Sequence, residues 1–251
     1  MAQENGLFIY GIVPSDVEPT PEAEGVGSPP GEVTAVRHGE LAALVSEVGL
    51  EEPLGRPDDL TAYERLLDGT AVVAPVLPVR FGTVVTGADA VEDLLAAHHD
   101  RFAAALDEVE DRLQYTVHGR FDEQEFISGF LAENGAAAAL ADHVRGRPEM
   151  ESREQRIRLG EMISQAVELR REAENRDLID AVGRYAAADA PLPPSHELDA
   201  VRVSFLVAGD EEDEFVQAVE DFAEQRRDLI RMRLIGPLAP YDFVSAHQLV
   251  E

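Results

Sequence analysis

One apolar stretch of this sequence carries two prolines and an arginine: Pro75-Val76-Leu77-Pro78-Val79-Arg80-Phe81-Gly82. Its apolar residues are typical of a β-strand. Because proline has no backbone N–H to donate, Pro75 and Pro78 cannot both serve a central strand, so the stretch predicts the edge of a sheet. Such an edge either accepts a segment of a partner or is protected by its prolines against pairing, and the sequence leaves both open.

Arg80 stands between apolar residues in this stretch. Because a buried charge needs a partner, Arg80 is predicted to anchor a buried carboxylate, to bind a backbone carbonyl, or to face another protein. A second stretch has a similar pattern of proline, glycine and aromatic residues: Gly236-Pro237-Leu238-Ala239-Pro240-Tyr241-Asp242-Phe243. Neither stretch contains a catalytic motif, and both indicate that a particular backbone shape is required.

The composition predicts a folded protein of one large or two small domains. The chain has 251 residues, of which 45% are hydrophobic, enough for a buried core. It contains no apolar run of about 18 residues, so no transmembrane helix is expected. The polar start Met1–Asn5 does not resemble a signal peptide, and the sequence has no cysteine. These features favour a cytoplasmic location.

The charge of the chain is strongly negative. Fifty Asp and Glu residues face 21 basic residues, giving a formal net charge of -29, and every basic residue is arginine. Such a surface repels nucleic acids and anionic membranes, so neither is expected as a partner. It also repels itself unless counterions screen it. The composition therefore favours a halophilic protein, with a high-GC genome as the alternative explanation for the missing lysine.

Salt is expected to stabilise the protein, because the Debye length falls to about 3 Å at 1 M salt and the repulsion between surface carboxylates is then largely screened. We predict that the melting temperature falls when the protein is dialysed from molar to low KCl. Thermal unfolding followed by circular dichroism at both salt concentrations measures this. An unchanged melting temperature would contradict the halophilic interpretation.

The periodicity of apolar residues predicts alternating strands and helices. In the first half, the nearly continuous apolar run at residues 7–13 predicts a buried central strand, and strands at 33–37 and 41–48 are predicted to form a hairpin. A helix at about 58–69 is predicted to be capped by Asp58 or Asp59 and to present Leu60, Tyr63 and Leu67 on one face, and another helix is predicted at 88–112. In the second half, strands are predicted at residues 113–118, 201–207, 230–235 and 241–246, and helices at 122–145 and 149–188, with a further helix beginning at the acidic run Asp210–Glu214. Residues 14–32, rich in proline and glycine, predict a loop or mobile flap.

No catalytic, cofactor-binding or metal site is predicted. His98-His99-Asp100 is the sharpest candidate, but neighbouring residues of a helix point about 100° apart, which favours one packed and one solvated histidine. The acidic run Asp210–Glu214 lacks the spacing of a calcium loop and suits a helix start. The paired arginines 170–171 and 226–227 are predicted to form surface ion pairs.

Several motifs together resemble the gas vesicle protein F/L family. They are Tyr10-Gly11-Ile12-Val13, Leu41–Val48, Tyr63-Glu64-Arg65-Leu66-Leu67, Pro75–Val84 and Gly236–Val244. Their order and spacing fit across almost the whole chain. One departure is Tyr63, where many members have histidine, and no chemical role is assigned to that position. The length does not decide between the F-like and L-like branches.

The resemblance implies an α+β fold with two domains, the second a modified ferredoxin-like fold. The expected boundaries are 1–112 for the N-terminal α+β domain and 113–251 for the C-terminal domain, which includes the long helical segment 149–188. The strands predicted from residue 113 onward alternate with helices, as such a domain requires.

The resemblance also implies a non-enzymatic role in gas vesicle formation. The expected partners are the hydrophobic shell protein and other accessory proteins, in the cytoplasm and associated with the vesicle, either during assembly alone or as a minor component of the vesicle. A small-molecule or regulatory binding module with a ferredoxin-like sheet is the alternative, and an enzyme with carboxylate chemistry is a third possibility. The candidate partner-binding residues come from the two quoted stretches: Pro78, Arg80, Phe81, Gly82, Gly236, Pro237, Pro240, Tyr241 and Phe243.

Overall fold

A computed structural model describes residues 5–20, 23–50 and 54–244. The chain divides into two compact units, one formed by residues up to Gln114 together with those from Gly236 onward, the other by Tyr115–Ile235. Both units combine helices with an antiparallel sheet, which confirms the α+β prediction. The sequence placed residues 113–251 in one domain, whereas Gly236–Val244 belong to the first unit. The division into separate folding domains stays a prediction.

The first unit is built on a five-stranded sheet. Its strands are β1 (Asn5–Pro14), β2 (Val33–His38), β3 (Leu41–Gly49), β4 (Leu77–Pro78) and β5 (Val84–Val85), in the order β2-β3-β1-β4 with β5 also paired to β1. The continuous apolar run predicted a buried central strand, and β1 is that strand. The predicted hairpin is also confirmed, with Gly39 at φ 60° in its turn.

The stretch that begins with Pro75 lies at the sheet edge, as its prolines predicted. Strand β4 pairs only with β1 among the described strands, with Pro78 opposite Gly11. A side chain on Gly11 would meet the Leu77 carbonyl oxygen at 3.0 Å and the Val76 side chain at 2.9 Å. Glycine at this position therefore lets the short edge strand approach β1 closely.

The described residues of the first unit also form three helices: α1 (Pro57–Ala71), α2 (Ala88–Ala97) and α3 (His99–Val109). The sequence predicted one helix over 88–112, which is wrong, because the helix breaks at His98 (φ -123°, ψ 19°) and β6 already begins at Arg112. Both histidines are half-buried rather than one packed and one solvated, and the His98 ring lies 5.8 Å from the Phe102 ring.

Helix α1 also differs in detail from the prediction. It begins at Pro57, and Asp59 is a buried residue of its first turn whose carboxylate accepts hydrogen bonds from the backbone N–H groups of Gly55 (3.1 Å), Arg56 (2.9 Å) and Gly27 (3.0 Å). These bonds replace the simple cap that the sequence indicated. Of the predicted apolar face, Tyr63 and Leu67 are buried but Leu60 is 41% exposed.

The second unit runs β-α-α-α-β-β-α-β, which is the β-α-β-β-α-β order of a ferredoxin-like fold with three helices in place of the first one. Its sheet has the strand order β7-β8-β6-β9. The elements are β6 (Arg112–Phe121), α4 (Glu123–Glu133), α5 (Gly135–Val144), α6 (Glu149–Val182), β7 (Ala188–Pro191), β8 (Asp199–Ala208), α7 (Glu212–Glu224) and β9 (Ile230–Leu238), with short 3-10 helices at Gly183–Tyr185 and Gly209–Glu211. The acidic run does lie at the start of α7. The modified ferredoxin-like description stays a proposal that this order supports.

The long helix predicted over 149–188 is confirmed only to Val182. It spans about 50 Å at 1.5 Å per residue and passes through Gly160 without a break. It ends at Gly183, and residues 188–191 pair with β8 as a strand instead of continuing the helix. The predicted helix over 122–145 is likewise divided, because the side chain of Asn134 caps α5 by accepting a hydrogen bond from the Ala137 N–H.

The arginine pairs do not all form surface ion pairs as predicted. Arg170 and Arg226 both contact the carboxylate of Glu174, at 2.8 and 2.6 Å, and that carboxylate is buried. A buried carboxylate requires such compensation. Arg171 forms no ion pair within the described residues and donates hydrogen bonds to the carbonyls of Asp199 and Glu197.

The last predicted strand, 241–246, is wrong for the described part. The N–H groups of Phe243 and Val244 both donate to the Pro240 carbonyl, and that of Tyr241 donates to the Ala239 carbonyl, so residues 241–243 form a turn. The turn bonds occupy N–H groups that a strand would need for a ladder. Residues 245 and 246 lie outside the described residues.

Candidate functional site

The first of the two sequence stretches presents Arg80 on a turn at the sheet edge. The Val79 N–H donates to the Tyr10 carbonyl (2.8 Å), which ends the pairing of the edge strand with β1. The chain then turns: Thr83 donates to the Arg80 carbonyl through both its N–H (3.2 Å) and its hydroxyl (2.7 Å), and Gly82 adopts φ 88°. This turn fixes the backbone of Arg80 independently of its side chain.

The Arg80 side chain is exposed. Across residues 5–20, 23–50 and 54–244 its guanidinium has neither an ion pair nor a hydrogen bond, so neither internal anchor predicted from the sequence is present there. Of the three roles left open, an external contact is the one that this geometry favours.

An aromatic cluster packs against the turn. The Phe81 ring lies 5.4 Å from both the Phe8 and the Tyr63 rings, each in an edge-to-face arrangement. The Tyr63 hydroxyl donates to the Val79 carbonyl at 2.6 Å. Burial, together with the negative charges of Asp68 and Glu64, raises the pKa of Tyr63 to about 12. Tyr63 therefore stays protonated and remains a donor at physiological pH.

The second stretch is held by the same helix. The Asp68 carboxylate accepts hydrogen bonds from the Ala239 N–H (2.8 Å) and from the Tyr241 hydroxyl (3.0 Å). Burial raises the pKa of Asp68, although both of these bonds favour its charged form. Burial and the neighbouring Asp68 charge raise the pKa of Tyr241, so its hydroxyl keeps its proton. Ala239 is fully buried, which leaves its N–H no access to water.

Helix α1 thus joins two stretches that lie more than 150 residues apart in the sequence. Tyr63 contacts the first stretch by its hydroxyl and the second by its ring, which lies 6.4 Å from the Tyr241 ring, while Asp68 binds the second stretch directly. The sequence placed Tyr63 on an apolar helix face and marked it as a departure from the family pattern, but it gave no signal for the contacts of Tyr63 with the two stretches or for Asp68. One carboxylate among fifty gives no signal of its own.

The candidate partner-binding residues divide by exposure, and only some of them are accessible to a partner. Pro78 and Pro240 are buried; Pro78 lies in strand β4, and the Pro240 carbonyl accepts the turn hydrogen bonds from Phe243 and Val244. Phe81, Tyr241 and Phe243 are half-buried. The exposed candidates are Arg80, Gly82, Gly236 and Pro237.

A cluster in the second unit contains Ser195, His118 and Asp199, the residue types of a hydrolase triad, but in a different geometry. The Ser195 hydroxyl donates to Asp199 (2.8 Å), and His118 Nε2 lies 3.0 Å from the other oxygen of that carboxylate. Arg233 donates to His118 Nδ1 at 3.0 Å, so this nitrogen is an acceptor and Nε2 carries the proton. The serine has no base, and the cluster is a structural network.

Neither a metal-ligand cluster nor a membrane-spanning helix is found in the described part of the chain. Among those residues no three side chains of His, Asp or Glu converge to hold a metal ion. None of the described helices is both long and apolar enough to cross a membrane.

The model of the family described as gas vesicle synthesis protein GvpL/GvpF matches residues 6–245. The chain belongs to this family. Gas vesicle protein F of Streptomyces sp. (strain CB03234) is 32% identical over 239 residues, which cover 95% of this chain and 99% of that protein. Gas vesicle protein L of the same strain is 27% identical, covering 98% of this chain and 95% of that protein.

Two solved structures share the fold. The crystal structure of GvpF from Anabaena sp. PCC7120 superposes with a TM-score of 0.77 at 24% identity, covering 95% of this chain and 98% of that one. That of GvpF from Microcystis aeruginosa gives a TM-score of 0.74 at the same identity and coverage. Membership of the GvpL/GvpF family makes this chain a gas vesicle-related protein, as its motifs predicted.

Proposed function

We propose that the protein is an accessory or minor structural protein of gas vesicle formation that binds the hydrophobic shell protein and other accessory proteins. Its location in this proposal is the cytoplasm, in association with the vesicle. The observation that supports a binding role is the turn that carries Arg80, an exposed arginine on a rigid backbone at a sheet edge, with no partner among the described residues. Family membership supports the vesicle context.

Two features of the chain suit this role: its negative charge and the sheet edge that carries Arg80. A hydrophobic shell subunit must reach the growing wall without aggregating, and a partner with a net charge of -29 keeps the complex in solution. At the sheet edge, a segment of the shell protein or of an accessory protein lies against the turn, and Arg80 pairs with one of its carboxylates.

Arg80→Ala is expected to reduce retention of the shell protein by about tenfold, the change that corresponds to one charge-assisted hydrogen bond. Arg80→Glu is expected to abolish it by repulsion. Because the Arg80 guanidinium has no described internal partner, both variants should fold. A pull-down of the shell protein by tagged wild-type and variant protein measures this. Phe81 is a poor test residue, since it packs on Phe8 and Tyr63.

Arg153→Ala is the matched control, because Arg153 is an exposed arginine of the second unit. It should retain the shell protein like the wild type. If the folded Arg80 variants retain the shell protein as well as the wild type does, this turn is not part of the interface. Loss of gas vesicles on deletion of the gene, with rescue by the wild-type chain, tests the vesicle role itself. Vesicles that form normally without the gene would favour the alternative, a regulatory or small-molecule binding module.

A further inference from the structure

A groove of about 550 Å³ follows one side of helix α1 in the first unit. The helix lines it with residues three or four positions apart, from its first turn to just past its last: Asp58, Thr61, Arg65, Gly69 and Val73. Residues at this spacing share one face of a helix. The groove therefore runs about 22 Å, at 1.5 Å per residue. It lies on a different face of α1 from Tyr63 and is not lined by Arg80.

The opposite wall comes from the proline- and glycine-rich residues between β1 and β2. Val26 is buried, and its N–H donates to the Tyr10 hydroxyl at 2.7 Å. That hydroxyl also shares a hydrogen bond with Ser46 (2.8 Å), and the Gly27 N–H donates to the buried Asp59 carboxylate at 3.0 Å. Hydrogen bonds at Val26 and Gly27 therefore connect this wall to the sheet and to helix α1. The loop predicted there is held in place at these residues rather than free to move as a flap.

The lining combines an apolar floor with an acidic rim. Val17, Leu44 and Leu66 contribute apolar surface, and the groove ends at Val73, which is 81% exposed beside Val72 at 59%. Exposed carboxylates of Glu24 and Asp58 stand around it, together with that of Glu18, which pairs with Arg37 at 2.5 Å; one arginine, Arg65, belongs to the lining. Apolar side chains bordered by carboxylates match an apolar segment with basic side chains at its ends.

We propose that this groove binds a short apolar segment of a partner protein, flanked by Lys or Arg. The 22 Å length, at about 1.5 Å per helical residue, favours a polypeptide over a compact small molecule. The apolar row covers Val73 and the floor, and the basic ends pair with the carboxylates of the rim. The site goes beyond the proposed function, because it is a second surface whose ligand chemistry does not depend on the shell protein or on the Arg80 turn.

Two synthetic amphipathic peptides of equal length and with the same apolar row provide the probe, one with arginines at both ends and the other with glutamates. Fluorescence anisotropy with the full chain should show binding of the arginine peptide at least tenfold tighter than of the glutamate peptide. Raising the salt should reduce this difference, because it screens the charges of the rim. Equal affinity for both peptides, or no binding of either, would overturn the proposal.

Val73→Glu places a carboxylate on the apolar end of the groove and is expected to weaken binding of the arginine peptide at least tenfold. Leu169→Glu is the matched control, because Leu169 is 67% exposed on a helix of the second unit. It should bind like the wild type. Unchanged binding by Val73→Glu, or an equal loss in both variants, would show that the peptide lies elsewhere.

Reversal of one rim charge tests the electrostatic part separately. Glu24→Arg should weaken binding of the arginine peptide and strengthen binding of the glutamate peptide. Glu161→Arg, a change at an exposed residue of the second unit, should leave the ratio of the two affinities unchanged. Because Glu24 is exposed, this variant keeps the test available if Val73→Glu fails to fold. The same ratio in wild type and Glu24→Arg would refute the charge pairing. Shell-protein retention by Arg80 variants is a separate measurement, so failure of one proposal leaves the other intact.

Discussion

Asp199→Ala is expected to lower the free energy of unfolding by about 3–5 kcal/mol, the usual cost of removing one member of a buried charged network. The Asp199 carboxylate is fully buried. One oxygen accepts hydrogen bonds from the N–H groups of Ser195 (2.7 Å) and His196 (2.9 Å) and from the Ser195 hydroxyl; the other accepts one from His118. Alanine would leave these donors without their acceptor, and the His118 side chain, only 13% exposed, is largely shielded from water.

The pH dependence of this effect has a defined sign. Burial alone would raise the pKa of Asp199, but the hydrogen bonds from His118, Ser195 and His196 outweigh it and hold the pKa well below its usual range. A carboxyl group whose pKa is lowered by folding stabilises the protein above its unfolded pKa of about 3.9. That stability is lost as the pH falls from there through the folded pKa. The difference in stability between wild type and Asp199→Ala should therefore shrink in acid.

Chemical denaturation in molar KCl, at neutral pH and at several values below pH 4, measures both parts of this prediction. Asp189→Ala is the control, because Asp189 is an exposed residue of the neighbouring strand β7, and its loss should change stability by less than about 0.5 kcal/mol. If Asp199→Ala and Asp189→Ala have the same free energy of unfolding, the hydrogen bonds of Asp199 make no net contribution to stability. A gap between wild type and variant that stays constant in acid would contradict the lowered pKa.

Elements with strong local patterns were predictable from the sequence. The unbroken apolar run of β1 has the composition of a strand buried on both faces, and the prolines of the 75–82 stretch predicted a sheet edge because of their missing N–H groups. The long helix α6 was predicted from its helix-forming composition. Its end was misplaced, because the pairing of Ala188–Pro191 with β8 is a tertiary interaction with no local signal.

The wrong predictions come from interactions between distant residues. A last strand was predicted at residues 241–246, but hydrogen bonds to the Pro240 carbonyl turn the chain at 241–243, and Ala239 and Tyr241 are held by Asp68 on α1. The periodicity of residues 88–112 does run along one apolar face, yet it cannot show that the backbone breaks at His98. Local propensity sets neither feature.

The candidate site was predictable in its loops but not in what holds them together. Both stretches stood out by their prolines, glycines and aromatic residues. Asp59 was predicted, with Asp58, only as a possible helix cap, and the other carboxylates that fix the structure, at Asp68, Glu174 and Asp199, had no distinguishing neighbours in a chain with fifty acidic residues. Their role depends on burial, which the sequence alone does not supply in this background.

Asp68→Ala is expected to destabilise the protein by about 2–3 kcal/mol, because it removes the acceptor of a buried backbone N–H and of a tyrosine hydroxyl. Ala239 is fully buried, so water does not replace the carboxylate at its N–H. Tyr241→Phe keeps the ring and removes only the hydroxyl, and should cost about 1–2 kcal/mol. Glu64→Ala, an exposed change on the same helix, should stay within about 0.5 kcal/mol.

A double-mutant cycle shows whether Asp68 acts through the second stretch. If the hydroxyl of Tyr241 is held by Asp68, its removal costs little once the carboxylate is gone, and the coupling energy of the pair should be about 1–2 kcal/mol. Equilibrium denaturation of the wild type, the two single variants and the double variant gives this value. Strict additivity would mean that the 3.0 Å contact contributes no stability and that the second stretch is held by packing alone. A clear coupling would make Asp68 the link that joins residues 236–244 to helix α1, since the Ala239 N–H depends on the same carboxylate oxygen.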